Sequence, residues 1–427
     1  MTSARRSLWA WCWFDFANQP FTTLVVTFIY GTYFTQAIAS DAVRGTVLWS
    51  RAITITGLTV AVLAPVLGTL ADRGGSRRRF LLYSVVLCVV PTAALTFVRP
   101  DHEHAILLAL TLFIVANVTF ELGYVFYNSF LPELAPAGAI GRISGYGWAF
   151  GYMGGLAALI VALVGFVQPE TPWFGIPTEA GFNIRATNLL VAAWFAVFCV
   201  PFFAIVSEPP PAPGAATWRA ALRQLREDVR EVRRYREVVR FLVARLLYND
   251  GLVTVFAFGG IYAAGTFGMS FGEVLVFAIA LNVAAGLGAL AFGFVDDRIG
   301  GKLTVLLSLV ALATATLLAV WAPTRTWFWA AGLLIGIFAG PNQAASRSLM
   351  GRFVPPVRQG QFFGLFAFSG KLTTFAGPLL LGLVSEWTGS QRLGILTILF
   401  FFVAGALVLA AVDEERGIAA AREAPAR

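Results

Sequence analysis

Ile53–Leu70, Phe80–Val98 and Leu393–Val412 are apolar around the whole helical circumference, and runs of this kind recur twelve times along the chain. A helix on the surface of a soluble domain keeps one face polar. A bilayer core of about 30 Å is crossed by about 20 residues rising 1.5 Å each, and these runs have that length. The 427 residues would otherwise divide into two or three soluble domains, but 58% are hydrophobic and 13% charged, where soluble domains hold roughly a quarter charged. One such run fits the buried helix of a large soluble protein; twelve do not. The chain reads as an all-α integral membrane protein with spans near 10–37, 51–72, 79–98, 105–131, 145–167, 187–207, 241–265, 273–296, 302–322, 326–350, 362–385 and 393–412.

Net charge is +8. Binding to nucleic acid would require basic residues gathered on an accessible face and interleaved with aromatics, whereas here they are parcelled into short loops, so no nucleic-acid partner is expected. Of 31 Lys and Arg, 22 fall on one set of loops and the termini, six on the other set, and three (Arg245, Arg347, Lys371) within spans. Positive charge is retained on the cytoplasmic side, which places both termini there. Arg5 and Arg6 precede an apolar stretch of about 28 residues containing Asp15, Asn18, Gln19 and Pro20, longer than a signal-peptide core, so the first span is expected to be retained.

The one long interruption, 208–240, opens with Pro209-Pro210-Pro211-Ala212-Pro213-Gly214, an extended linker. Trp218, Leu222, Leu225, Val229, Val232 and Val239 then recur at helical spacing opposite a face of arginines. The pattern predicts an amphipathic helix over 218–240 lying on anionic lipids, or a solvated connector. Either divides the chain into six-span halves, 1–207 and 241–427.

Those halves share a motif. Gly68-Thr69-Leu70-Ala71-Asp72-Arg73-Gly74-Gly75-Ser76-Arg77 follows span two, and Gly293-Phe294-Val295-Asp296-Asp297-Arg298-Ile299-Gly300-Gly301-Lys302 follows span eight, at an offset of 225 residues. Two copies at equivalent places point to duplication. The loop resembles the signature of the major facilitator superfamily, and the resemblance covers essentially the whole chain. Trp13-Phe14-Asp15-Phe16-Ala17-Asn18, Tyr127-Asn128-Ser129-Phe130-Leu131-Pro132-Glu133, Arg142-Ile143-Ser144-Gly145, Tyr248-Asn249-Asp250-Gly251, Gln343 to Arg347, and Phe363-Gly364 through Ser369-Gly370-Lys371 are similar to the bacterial relatives of the fungal autophagy-related vacuole effluxers. This implies two pseudo-symmetric six-helix bundles, a bacterial cytoplasmic membrane, and transport of a small solute, with amino acids implied by the fungal members.

A carboxylate ending a span can cap a facing helix N-terminus or pair with Arg. The repeated loops (Gly68, Asp72, Arg73, Gly75, Arg77; Gly293, Asp297, Arg298, Gly300, Lys302) are therefore candidates for a cytoplasmic gate, against simple anchoring of positive charge at lipid headgroups. In the resembled superfamily this loop is taken to stabilise the outward-open state.

Ionisable groups within a span are costly and usually face a bundle interior or a cavity. The candidates for a substrate and proton path are Asp15, Asn18 and Gln19 in span one and Asn117, Glu121, Tyr124 and Asn128 in span four. The second half adds Asn249 and Asp250 in span seven, Asn282 in span eight, Asn342, Gln343 and Arg347 in span ten, and Lys371 in span eleven. The resemblance implies that spans one, four, seven and ten line the central path. Acids and bases balance three to three, so static pairing is the competing reading, and Arg245 and Arg347 sit near enough to a membrane edge to snorkel. A carboxylate withdrawn from water can exchange protons near neutral pH, which makes Glu121 or Asp15 the expected proton carrier.

Glycines stud spans five and eleven, where small residues let helices approach closely. The span-five run partly resembles the antiporter signature of drug exporters but has Tyr152 where that signature has Pro. Cys12, Cys88 and Cys199 lie in apolar segments without a metal or redox spacing, and His102 and His104 share a loop. No nucleophile–base pair or metal cluster marks an enzyme, and no phosphate-binding Gly-Lys-Thr/Ser loop marks ATP use. No cofactor is expected. A monomeric secondary transporter is the reading, with a receptor or scaffold and a multidrug exporter as alternatives.

Overall fold

The computed structural model describes residues 3–39, 42–74, 77–136, 138–208 and 235–423, and every regular element among them is helical. Helices satisfy all interior backbone groups within the segment, as a lipid solvent requires. Among the described residues, ten helical stretches are long and apolar enough to cross a membrane. Two further long stretches are less apolar. One is Ser3–Pro20 continuing through π-helical Phe21–Phe28 and Phe34–Ile38, and the other is Arg325–Phe353. They carry Asp15, Asn18 and Gln19, and Asn342, Gln343 and Arg347. Val62, Leu107 and Leu407 are 69%, 68% and 69% exposed, outward-facing bulk that belongs in lipid rather than water.

Helix ends depart from the apolar runs. Span two is Ala42–Gly74, beginning nine residues before the run at 51–72. Span seven is Arg236–Phe267, so Glu237, Val239 and Arg240 form its first turns rather than the end of a separate linker helix. The remainder of the expected amphipathic helix, 218–234, lies outside the described residues, as does Gly75.

Span eleven is two helices, Gln359–Lys371 and Ala376–Thr388, rather than one. Pro378 explains the interruption: it has no N–H to give and its ring clashes with the carbonyl four residues back, Thr374. Pro20 likewise precedes the π-helical widening of span one.

Packing forms two compact units. The first comprises Met1–Leu63, Gly75–Tyr127 and Phe150–Pro211, and the second Ala64–Gly74, Asn128–Ala149 and Ala212–Arg427. In the first, Trp11 and Tyr127 stack at 4.6 Å and exchange bonds: Trp11 Nε1 donates to Tyr127 O and Tyr127 Oη to Trp11 O, each at 3.0 Å. Span five crosses span one so closely that a Cβ on Gly154 would stand 2.2 Å from Phe16 O. In the second, Phe328 stacks with Phe267 and Phe277 at 4.5 and 5.1 Å. A Cβ on Gly340 there would stand 2.0 Å from Ala285 O.

Candidate functional site

The charged ends of the spans are fastened by one device used four times among the described residues. The Asp72 carboxylate accepts the Gly360 and Gln361 amides, each at 2.8 Å, at the start of Gln359–Lys371. Asp297 accepts the Gly141 and Arg142 amides at 2.8 and 3.3 Å, at the start of Ile140–Ala162. A helix N-terminus presents unpaired N–H groups and the positive end of its dipole, so one carboxylate answers both. Gly68 permits the first approach, since its Cβ would lie 2.1 Å from Gly360 O, and Gly293 the second, 2.8 Å from Arg142 Cα.

The other two copies involve residues outside the repeated motif. Glu208, just after span six, accepts the Arg77 and Arg78 amides at 2.9 and 3.0 Å and the Arg77 Nε at 3.1 Å. Glu414, just after span twelve, accepts the Gly301 and Lys302 amides at 3.0 and 2.9 Å. Lys302 Nζ donates to Ala410 O at 2.9 Å. One signal in the sequence points to them: an acid stands just beyond the last span of each half. Gly300, at φ 89°, adopts the left-handed turn that starts span nine. Arg73 and Arg298 are exposed.

The second loop carries one more acid than the first. Asp296, 1% exposed, accepts Arg352 Nη1 at 2.7 Å and the Ser348 hydroxyl; Ala71 stands at its counterpart. Deeper lies Arg347, 2% exposed. It donates to the Ser144 hydroxyl at 2.9 Å, the Ser144 carbonyl at 2.7 Å and Asn128 Oδ1 at 3.3 Å, with Trp148 under its guanidinium at 5.6 Å.

Within the first unit, spans one and four bring four candidates together. The Tyr124 hydroxyl lies 3.2 Å from Asp15 Oδ1, 3.3 Å from Asn18 Oδ1 and 3.4 Å from Gln19 Oε1. It has one proton for three acceptors, so it can donate to one of them at a time. Asn18 Nδ2 is buried without a partner beside a small cavity lined by Asn18, Ser84, Thr119 and Tyr124, room for about one water. Asn117 is buried two turns before Tyr124, and Glu121 half-buried one turn before it.

In the second unit, span seven holds the interruption of span eleven. Arg245 Nη1 donates to Phe366 O at 2.6 Å and to Ser369 Oγ at 3.0 Å, with its guanidinium 3.6 Å over the Phe366 ring. Asn249 Nδ2 donates to Gly370 O at 2.9 Å. Arg245 and Asn249 thus each answer one carbonyl in the last turns of the first half-helix. Asp250, 1% exposed, stands at the start of the other half, where a Cβ on Gly377 would meet Asp250 O at 3.0 Å. Lys371 is the half-buried last residue of the first half-helix. Asn342 Nδ2 donates to Ser308 Oγ at 2.9 Å, while Asn282 Nδ2 turns back to Ala278 O of its own helix at 2.8 Å. Gln343 is half-buried.

Comparison with known proteins agrees with this architecture. The family model described as Vacuole effluxer Atg22 like matches residues 42–422. YxiO, an uncharacterized MFS-type transporter of Bacillus subtilis (strain 168), is 27% identical over 418 residues, covering 95% of this chain and 94% of that protein. Autophagy-related protein 22 of Cryptococcus neoformans var. neoformans serotype D (strain B-3501A) is 26% identical over 303 residues, 65% of this chain and 53% of that protein. The chain thus spans about half the length of such fungal relatives. Among solved structures, the proton:xylose symporter XylE superimposes with a TM-score of 0.72 at 14% identity over 97% of both chains. The E. coli fucose:proton symporter FucP gives 0.72 at 13% identity over 96% of this chain and 98% of that one. At such identities the likeness is one of fold. The chain belongs to the vacuole effluxer Atg22-like family and has the all-helical, multi-pass membrane fold of the major facilitator transporters.

Proposed function

We propose that the chain exports a small polar or amphipathic solute, zwitterionic amino acids foremost, by alternating access coupled to a proton. The observation that carries this reading is the pair of carboxylate–amide clamps at Asp72 and Asp297, 225 residues apart in sequence. Each consists of a few charge-assisted bonds at a helix end, strong enough to hold one state and weak enough to break in each cycle. On this reading the repeated loops form a cytoplasmic gate, both termini are cytoplasmic, and two six-span halves, 1–207 and 241–427, are joined by a linker that rests on anionic lipid. One monomer is the working unit.

The polar residues of spans one, four, seven and ten line the solute path. Glu121 or Asp15 carries the proton, while Lys371 and the amides orient the solute. The family description, vacuole effluxer, supports export, and the proton symporters of the same fold support the coupling ion.

The test is flux of radiolabelled amino acids in proteoliposomes under an imposed pH gradient. Accumulation driven by the gradient, abolished in Glu121→Gln while that variant remains folded, is the expected result. Solute binding without flux would replace the transporter by a receptor. Unchanged driven flux in Glu121→Gln would remove Glu121 as the carrier.

A further inference from the structure

Among the described residues, four carboxylates each accept two successive amides at a helix start: Asp72, Asp297, Glu208 and Glu414. A fifth, Asp250, stands at the start of a helix and does not. The polar groups facing its carboxylate are the Gly377 amide and the Thr373 hydroxyl, and the latter is shared with Leu246 O at 3.4 Å. Oδ1 is buried and has no hydrogen-bond partner.

Sequence explains the shortfall. The residue after Gly377 is Pro378, which has no N–H. The Ala376 amide is already given to Thr373 O at 2.7 Å. The hydroxyl of Thr254, one turn along span seven, donates to the Asp250 carbonyl at 2.7 Å and not to its carboxylate. Ionisable groups on the elements packed against it include Arg245 and Tyr248 on span seven, Lys371 and Glu386 on span eleven, Arg347 on span ten and Arg392 on span twelve. None hydrogen-bonds Oδ1.

We propose that Asp250 is a proton-binding site that governs the second half of span eleven: ionised, it holds the N-terminus of Ala376–Thr388, and a proton on Oδ1 releases it. The ionised form is favoured by the positive end of that half-helix, and the neutral form loses the charge–dipole attraction. Because Arg245 and Asn249 keep the first half-helix fixed at its carbonyls, only residues beyond the interruption respond. The site goes beyond the proton-coupled reading above, in which Glu121 or Asp15 carries the coupling proton: Asp250 is a second protonation site, acting on span eleven.

Hydrogen exchange of the amides of residues 376, 377, 379 and 380 in lipid nanodiscs, corrected for intrinsic pH dependence, tests this without any solute and so without reference to transport. In the wild type, protection should fall roughly five- to thirtyfold between pH 8 and pH 5.5, the factor that one or two kcal/mol of helix-end attraction produces. Asp250→Asn, which cannot ionise, should show the lower protection at both pH values. Asp250→Glu should keep a pH response, and melting in detergent confirms that each variant is folded. A wild type whose exchange at these amides ignores pH, or an Asp250→Asn protein that keeps the full response, overturns the assignment.

Discussion

Arg347 holds Ser144 twice, through Nε to the hydroxyl at 2.9 Å and through Nη2 to the carbonyl at 2.7 Å, at a point where the arginine is 2% exposed. The planar fork reaches both oxygens of one residue, a geometry that lysine cannot reproduce. It ties span ten to the start of span five, and through Asn128 to the end of span four.

Arg347→Lys should therefore destabilise the protein far more than a conservative change on the surface, by about 2 kcal/mol or more, since it loses charge-assisted bonds in a buried place. Ser144→Ala, which removes the hydroxyl and leaves the carbonyl, should cost less. Thermal melting in detergent checks the order; equal melting of both variants with the wild type would contradict it.

Glycine positions divide by what surrounds them. Gly154→Ala forces a methyl against Phe16 O and should destabilise by about 1–3 kcal/mol, the usual cost of overpacking. At Gly382 a Cβ would meet nothing within 4 Å, and Gly382→Ala should be neutral or stabilise by up to about 1 kcal/mol through helix propensity. Melting of the two variants side by side is the check, and equal loss from both would contradict the packing described.

Pro378→Ala supplies the missing N–H for Thr374 O and should let the helix run on through 372–375. Exchange of the amides of residues 376, 377, 379 and 380 should slow, and driven flux should fall. Faster exchange would show that Pro378 is not the cause of the interruption.

Much of the architecture is legible in the residues alone. Apolar runs of bilayer length define the fold class, and the repeated loop picks out Asp72 and Asp297 without their partners. Polarity within the first and tenth stretches marks Asp15, Asn18 and Arg347. Partners are harder to read, because Gly360 and Gly141 are 288 and 156 residues from their carboxylates and a backbone amide leaves no trace in residue type. Glu208 and Glu414 escape notice because they lie outside the repeated motif. Pro378 is visible, but the run 362–385 is apolar enough to read as one helix. That Arg245 reaches the end of the first half-helix and Asp250 stands beside the start of the second follows from tertiary contact alone.

Glu208 and Glu414 offer a symmetric test. Each accepts two amides at the start of the helix that opens after a repeated loop. Glu208→Gln and Glu414→Gln should each lower the melting temperature, by about 1 kcal/mol of stability for the lost charge at a helix N-terminus. Loss from one alone would show that the two halves are fastened differently.

If the protein works by alternating access, the carboxylate–amide clamps at the repeated loops come apart and re-form in each cycle. Pulsed electron–electron distance measurement between spin labels on Pro136→Cys and Ile299→Cys, both exposed and flanking the Asp297 clamp, tests it directly in nanodiscs; the native cysteines are buried. The account predicts a short and a long population in the wild type, with the long one dominant when Asp72→Asn and Asp297→Asn are combined. A single short distance, unmoved by those substitutions, would contradict it.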